Sequence, residues 1–366
     1  MKALHIESGR HLYGGALQVV MLIEGLSRRG VECHLACPVG SAIADAARPH
    51  AAAVHETVMR GDVDVATFFR LRTLIREIRP DVVHLHSRFG TDIWGALAAR
   101  VEGVAVVHSR RVDNTEPRFW VNIKYRLYDK VVAISNGIRE VLLSEGLPPA
   151  QVACVHSAVD TQTYRPGRSE MAWFRSEFGL QEGDVTVAMV AQFIVRKGHR
   201  TLLNALPAVL AAHPRTRVLF FGQGPQEEAM RQLVQERQLG AHVQFAGFRN
   251  DMARVLPCLD VVAHPAMTEG LGVALLQAAA CGVPIVASRT GGIPEIVQPG
   301  ETGELVEPGD VPQLTEALLC VLGDEALRQR YGLRAREWIE AGFSAPAMVS
   351  GNHAVYAEVL AARARR

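Results

Sequence analysis

The chain has 366 residues, 48% hydrophobic and 21% charged, a length suited to two α/β domains and a balance that excludes an intrinsically disordered protein. Lys plus Arg (39) nearly cancels Asp plus Glu (38), which excludes an overall field able to hold nucleic acid. The six cysteines form no C-x-x-C pair, so neither a zinc site nor a dithiol redox site is expected, and a reducing compartment fits.

The opening MKALHIESGRHLYGG meets charge and glycine too early for a secretory h-region, and no apolar run approaches the length of a spanning helix, so a soluble or peripheral protein is expected. Ala3 to Ser8 predicts a strand, Gln18 to Arg28 a helix and Glu32 to Cys37 a second strand, the rhythm of a parallel βαβ sheet. Asp81 to His86, Ala105 to Ser109 and Lys130 to Ser135 read as strands buried on both faces, with a helix at Ile93 to Val101. A polar stretch with Pro166 and Gly167 then marks a linker, and the expected domains are residues 1–163 and 164–344.

The second series has strands at Thr186 to Ala191, Arg217 to Gly222, Val243 to Ala246, Asp260 to His264, Ile285 to Ser288 and Gly303 to Val306. From Ala326 to Arg366 the pattern is helical, interrupted near Gly342 to Pro346. The fold class is therefore α/β, with two doubly wound domains.

The most informative stretch runs from His264 to Ser288 and reads strand, polar turn, helix, strand. Gly270 and Gly272 allow a close approach of backbone to ligand. The helix expected to begin near Leu271, with Val273 in its first turn, presents unpaired N–H groups to an anion such as a diphosphate. An ordinary strand-to-helix turn is the alternative. Val190-Ala-Gln-Phe-Ile-Val-Arg-Lys-Gly198 carries adjacent cations, Arg196 and Lys197, that suit a leaving diphosphate or a solvated helix start. Gly222 and Gly224 flank a tight turn, with Phe248 and Arg249 in a later loop. In the first half, Gly14 and Gly15 open a helix after the first strand, where a loop folds close to phosphate or sugar.

His84 and His86 share a strand face, a spacing that suits a metal, but no third ligand is evident, and structural or acceptor-contacting histidines are preferred. Asp62 and Asp64 match a loose D-x-D pattern without its adjoining apolar strand and read as surface. Arg110 and Arg111 begin a charged stretch reaching Lys124, suited to an anionic acceptor or a membrane surface, or to a solvated loop.

Taken together, these segments resemble glycosyltransferase family 4, the retaining GT-B group, whose signature is a Glu followed eight residues later by another Glu. Glu269 matches the first and Gln277 replaces the second. The resemblance implies a GT-B fold, two Rossmann-like domains facing across a cleft, with the C-terminal helix 345–366 packing back on an acceptor-binding first domain. The second domain would bind the donor. It places Glu269 by the donor sugar, Gln277 by the ribose, Gln192 where the family has an Arg, and His108 near the reacting centre; Arg196 and Lys197 would stabilise the diphosphate. Gly14, Gly15, Gly222, Gly224, Phe248 and the backbone of Gly270, Leu271, Gly272 and Val273 would also line the donor. His84, His86, Arg110 and Arg111 would face the acceptor.

The implied activity is retaining, metal-independent transfer from a nucleotide diphosphate sugar to a glycan or lipid-linked acceptor, as in lipopolysaccharide or other envelope polysaccharide biosynthesis. No cofactor and no nucleic acid partner are expected. The expected place is the cytoplasm, with a peripheral contact at the inner membrane face left open. A sugar-nucleotide epimerase of similar fold, or a binding-only relative with charge lost at Gln192 and Gln277, are the alternatives.

Overall fold

A computed structural model describes residues 1–12, 14–61, 63–87 and 90–365. Two compact units divide the chain: Met1–Ala158 with Ala345–Arg366, and Val159–Ser344. Among the described residues the first unit holds β1 (Lys2–Ile6), β2 (Glu32–Pro38), β3 (Ala53–Thr57), β4 (Val82–Leu85), β5 (Ala105–Arg110), β6 (Lys130–Ala133) and β7 (Val152–Cys154). They form one parallel sheet ordered β3-β2-β1-β4-β5-β6-β7. The edge strand β3 is not evident in the sequence, because AVHET is short and only half-buried.

The second unit holds β8 (Val185–Val190), β9 (Thr216–Phe221), β10 (Val243–Gly247), β11 (Val261–His264), β12 (Ile285–Ser288) and β13 (Gly303–Val306). Its parallel sheet is ordered β10-β9-β8-β11-β12-β13. In both sheets the strand order reverses once, between β1 and β4 and between β8 and β11. Loops at the carboxyl ends of such a pair diverge to opposite faces and leave a crevice, where open α/β sheets bind ligands.

The boundary falls a few residues before the one expected at 163, because the polar stretch is not free. Arg336 donates to the carbonyls of Thr161, Tyr164 and Ala280 at 2.9, 2.7 and 2.7 Å, binding residues after 158 to the second unit. Asp160 closes a local turn by accepting from Gln162 N at 2.9 Å. The chain leaves the first unit under the grip of Gln18, whose amide exchanges two 2.7 Å bonds with the backbone of Ala158. It returns beside the exit, where Val159 N donates to Phe343 O at 3.0 Å.

The Glu325–Gly342 and Ala345–Ala364 helices break at Phe343 and Ser344. The second packs in the first unit's core, burying Met348, Val349, Val355, Tyr356 and Val359 with the Gly14–Ser27 helix and strands β2 and β5. None of the described helices is long and apolar enough to cross a membrane.

Candidate functional site

In the second unit, the loops leaving β8 and β11 touch backbone to backbone. Gly198 has φ +80°, and a Cβ there would stand 1.8 Å from the Pro265 carbonyl oxygen. Met267 N donates to Arg196 O at 2.7 Å. Only glycine permits both that φ and that approach, and the contact brings two distant segments of sequence together at their side chains. The Lys197 ammonium donates to Glu269 Oε2, and His264 Nε2 lies 2.9 Å from the same oxygen.

This triad is withdrawn from water, with side-chain exposures of 12% for Lys197, 11% for Glu269 and 3% for His264. Burial pushes the Glu269 carboxyl up. The His264 hydrogen bond and the Lys197 charge outweigh it, holding Glu269 far below the usual carboxylate range and therefore ionised. Arg196 is exposed beside them, its guanidinium 3.3 Å from the Thr268 carbonyl.

The helix of the signature stretch spans Val273–Ala280 and begins after Gly272, later than the expected start near Leu271, because Gly272 is left-handed at φ +96°. Gly270 and Leu271 are buried before it, while Val273 and Gln277 are half-buried on the helix. Gln192 is exposed just past β8. Gly222 and Gly224 serve loop contact: a Cβ on Gly222 would lie 2.0 Å from Ala191 O, and one on Gly224 would lie 2.6 Å from Phe193 O. Phe248 is 49% exposed. Arg249 is taken up by Asp251 and Glu177, at 2.7 and 2.6 Å.

In the first unit the reversal point collects a second group. Gly14 and Gly15 open the Gly14–Ser27 helix, and a Cβ on Gly15 would meet Arg111 Cδ at 3.7 Å, so the arginine stem lies along the helix start. Arg111 reaches His86 Nδ1 at 3.4 Å, and Glu7, buried at the end of β1, feels its charge. Burial pushes the Glu7 carboxyl up despite the 2.8 Å bond it accepts from Gly9 N and the charge of Arg111.

The third imidazole beside His84 and His86, which the sequence did not bring forward, is His5, which faces His84 in the register of β1 on β4. Their nearest nitrogens lie within 4.8 Å of one another, yet hydrogen bonds already use most of them. His84 bonds Tyr356 OH at 2.6 Å and Ser109 Oγ at 2.8 Å, and His5 Nδ1 meets His86 Nε2 at 3.0 Å. These bonds, with the Arg111 guanidinium beside His86, hold the three rings as a neutral imidazole stack.

Burial lowers His5 to about 3 and His199, stacked on Phe193, to about 3. His84, His86 and His108 are also driven well below their usual range by burial. These five imidazoles bind protons in the unfolded chain but not in the folded one. Stability is therefore complete above pH 6.5, the ordinary imidazole value, and falls as pH drops, by up to about 1.4 kcal/mol per pH unit for each histidine. Urea midpoints measured from pH 7.5 to 5 should decline steeply, and His5→Gln should flatten the slope; an unchanged midpoint across this range contradicts the neutral stack.

The alternation of β5 places His108 and Arg110 on a different face from Ser109 and Arg111. Ser109 and Arg111 face the imidazole stack, so His108 and Arg110 point to the opposite layer. His108 is 1% exposed and stacks on Tyr128 at 4.7 Å, inside the core. The Arg110 side chain is fully buried, 3.1 Å from Glu116, and donates to the Asn114 carbonyl.

Lys124 joins the same buried network, at 2.9 Å from Asp92 and 3.2 Å from Glu116. The charged stretch is thus partly an internal ion cluster rather than a surface. Arg110→Met should cost about 3 kcal/mol by removing one of the two cations that pair with the buried Glu116 and leaving only Lys124, read as a lower urea midpoint with acceptor affinity of the folded fraction unchanged. A stable variant with weakened acceptor binding would return Arg110 to the acceptor.

Asp64 is held locally, accepting from Thr67 Oγ1 at 2.9 Å; Asp62 lies outside the described residues. Ser135, at the end of the β6 segment, caps the Asn136–Ser144 helix through Ile138 N at 3.1 Å. His264, Glu7 and His5 were missed because nothing local distinguishes them. The available signal was position, since His264 ends its strand and Glu7 follows directly on its own, both at reversal points.

Comparison with known proteins accounts for both halves. A family model described as Glycosyltransferase Family 4 matches residues 13–163, and one described as Glycosyl transferases group 1 matches residues 172–338. The chain is 26% identical to N-acetyl-alpha-D-glucosaminyl L-malate synthase of Bacillus anthracis over 81% of its own length and 80% of that protein's. It is 34% identical to the GDP-mannose-dependent alpha-(1-6)-phosphatidylinositol monomannoside mannosyltransferase of Mycolicibacterium smegmatis, over 57% of each chain.

Among solved structures, Anabaena HepE in complex with UDP and glucose superposes with TM-score 0.86 at 18% identity, covering 98% of this chain and 99% of that one. Sucrose-phosphate synthase of Thermosynechococcus elongatus gives 0.80 at 20% identity, covering 99% and 100%. The chain belongs to the group 1 glycosyl transferases of glycosyltransferase family 4, and its two parallel-sheet domains are those of the GT-B fold.

Proposed function

We propose that this chain transfers a sugar from a nucleotide diphosphate sugar to a glycan or lipid-linked acceptor, with retention of anomeric configuration and without a metal, in the building of lipopolysaccharide or another envelope polysaccharide. The observation that carries the reading is the part-buried Lys197–Glu269 pair at the reversal point of the second sheet, beside the start of the Val273–Ala280 helix. A cation, an exposed Arg196 and helix N–H groups offer the leaving diphosphate what a metal would otherwise supply. Glu269, kept ionised, is a hydrogen-bond acceptor for sugar hydroxyls.

In this reading the donor sits on the second unit and the acceptor is met by Arg111, His86 and the Gly14–Gly15 helix start of the first. The acceptor hydroxyl attacks the face from which the diphosphate leaves, and a donor phosphate oxygen takes its proton.

Thermal stabilisation by UDP-, GDP- and ADP-sugars with EDTA present tests the donor site, and proton NMR of the product anomer tests retention. The panel follows the relatives, one named for GDP-mannose and a fold neighbour solved with UDP and glucose. An inverted product sinks retention; donor turnover without acceptor indicates an epimerase. Stabilisation without transfer to any acceptor indicates a binding protein.

A bilayer contact is supported by the Arg118–Lys124 helix, where Phe119, Trp120 and Ile123 are 77%, 42% and 47% exposed between the exposed Arg118 and Arg126. Aromatic side chains flanked by arginine suit an anionic interface. Phe119→Ser with Trp120→Ser should reduce co-sedimentation with phosphatidylglycerol vesicles about ten-fold; undiminished binding places the contact elsewhere.

A further inference from the structure

Lys197 and His264 converge on a single oxygen, Glu269 Oε2. With Lys197 and Glu269 as donor-site residues, a reading on which the role of His264 depends, Lys197 faces two anions once a diphosphate is present. Its four-carbon stem allows the ammonium to turn from one to the other. The carboxylate has no such freedom. Glu269 is nearly buried, and its backbone carbonyl is fixed by Gly292 N at 3.2 Å. A buried carboxylate deserted by its cation would take up a proton or lose its orientation.

His264 is built to prevent that. It ends β11 in register with Ala287 and is 2% exposed, so its ring cannot follow the lysine. Its Nδ1 is buried with no hydrogen-bond partner, which leaves Nε2 as the nitrogen that engages the carboxylate. The charged or titratable groups around it are Glu269, Lys197 and His199.

We infer that His264 is a positioning residue of this site, whose Nε2–H holds the Glu269 carboxylate charged and oriented toward the sugar while Lys197 turns to the diphosphate. Lys197 then reads the phosphate and the His264–Glu269 pair reads the sugar. Binding of a nucleoside diphosphate and binding of its sugar conjugate are therefore separable by mutation.

The experiment measures affinities of the full chain for UDP, GDP and ADP and for UDP-glucose, GDP-mannose and ADP-glucose, from pH 6 to 9. The variants are His264→Leu, His264→Gln and Lys197→Met. His264→Leu should keep nucleoside diphosphate affinity within two-fold and lose ten-fold or more toward the matching sugar conjugate at pH 6.5. The loss should shrink as pH rises, because Glu269 without His264 ionises only at higher pH, whereas a structural defect would weaken both ligands at every pH.

His264→Gln, which presents an N–H at a similar reach, should restore most of the sugar-dependent affinity. Equal, pH-independent losses for both ligand types, no loss at all, or a glutamine variant no better than leucine would overturn the inference while Lys197→Met still abolishes nucleotide binding. If Lys197→Met leaves nucleotide binding intact, or none of the six ligands binds the parent chain, the donor-site reading fails and the inference with it.

Discussion

Lys197→Met is expected to lower the rate of sugar transfer by about a hundred- to a thousand-fold, the loss that accompanies removal of one preorganised donor from a developing oxyanion. The leaving diphosphate gains charge as the glycosidic bond breaks, and Lys197 is a half-buried cation at the meeting of the β8 and β11 loops. Methionine keeps most of the stem's volume and removes the charge, so the packing around Pro265 and Gly198 should survive. Arg196→Met should cost less, since that guanidinium is exposed and screened by water. Steady-state kinetics with the donor named by the stabilisation panel decides the matter. A Lys197→Met enzyme within three-fold of the parent would remove the diphosphate role from this residue.

Gly198→Ala is expected to be strongly damaging, costing about 3 kcal/mol or more. Two penalties coincide there. The backbone is left-handed at φ +80°, and the new Cβ would fall 1.8 Å from Pro265 O, a backbone atom that cannot rotate aside. Relief requires the β8 and β11 loops to part, which would separate Lys197 from Glu269. Stability and donor binding should therefore fall together, read as a lower urea midpoint and a lost nucleotide-dependent shift. Gly240→Ala is the control, because a Cβ there meets nothing within 4 Å. A Gly198→Ala protein as stable as the control would show that the loops do not meet as described.

The same two residues show what a sequence conveys. The apolar, β-branched runs punctuated by glycine specify parallel strands whatever surrounds them, because only strands covered on both faces tolerate them. The second-domain strands accordingly begin and end within one or two residues of their expected places. The Arg196–Gly198 and Glu269–Gly272 segments were visible as a cation pair, an acid and glycines of the right kind. That Lys197 bonds Glu269 depends on two loops meeting, and no local pattern encodes it.

Side-chain direction was the harder quantity. His108 and Arg110 lie one residue from Ser109 and Arg111, and a strand sends neighbours to opposite faces. The run from Ala105 to Arg111 does not say which face meets the imidazole stack. That choice was made by Tyr356, from the far end of the chain, and by Ser109, whose bonds to His84 turn Arg111 toward the Gly14–Gly15 helix start and Arg110 into the core. The domain boundary moved for a similar reason, as Arg336 captured carbonyls across a long sequence separation.

Sequence alone determined the two α/β domains, the family, the strand-end loops and the residue types at them, since these follow from local hydrophobic period and short motifs. Tertiary structure alone decided which charges are buried in ion clusters, which imidazoles stack, and that His264 shares Glu269 with Lys197. Those outcomes depend on register and on contacts between residues far apart in the chain, where burial and charge are set by neighbours that the local sequence does not name.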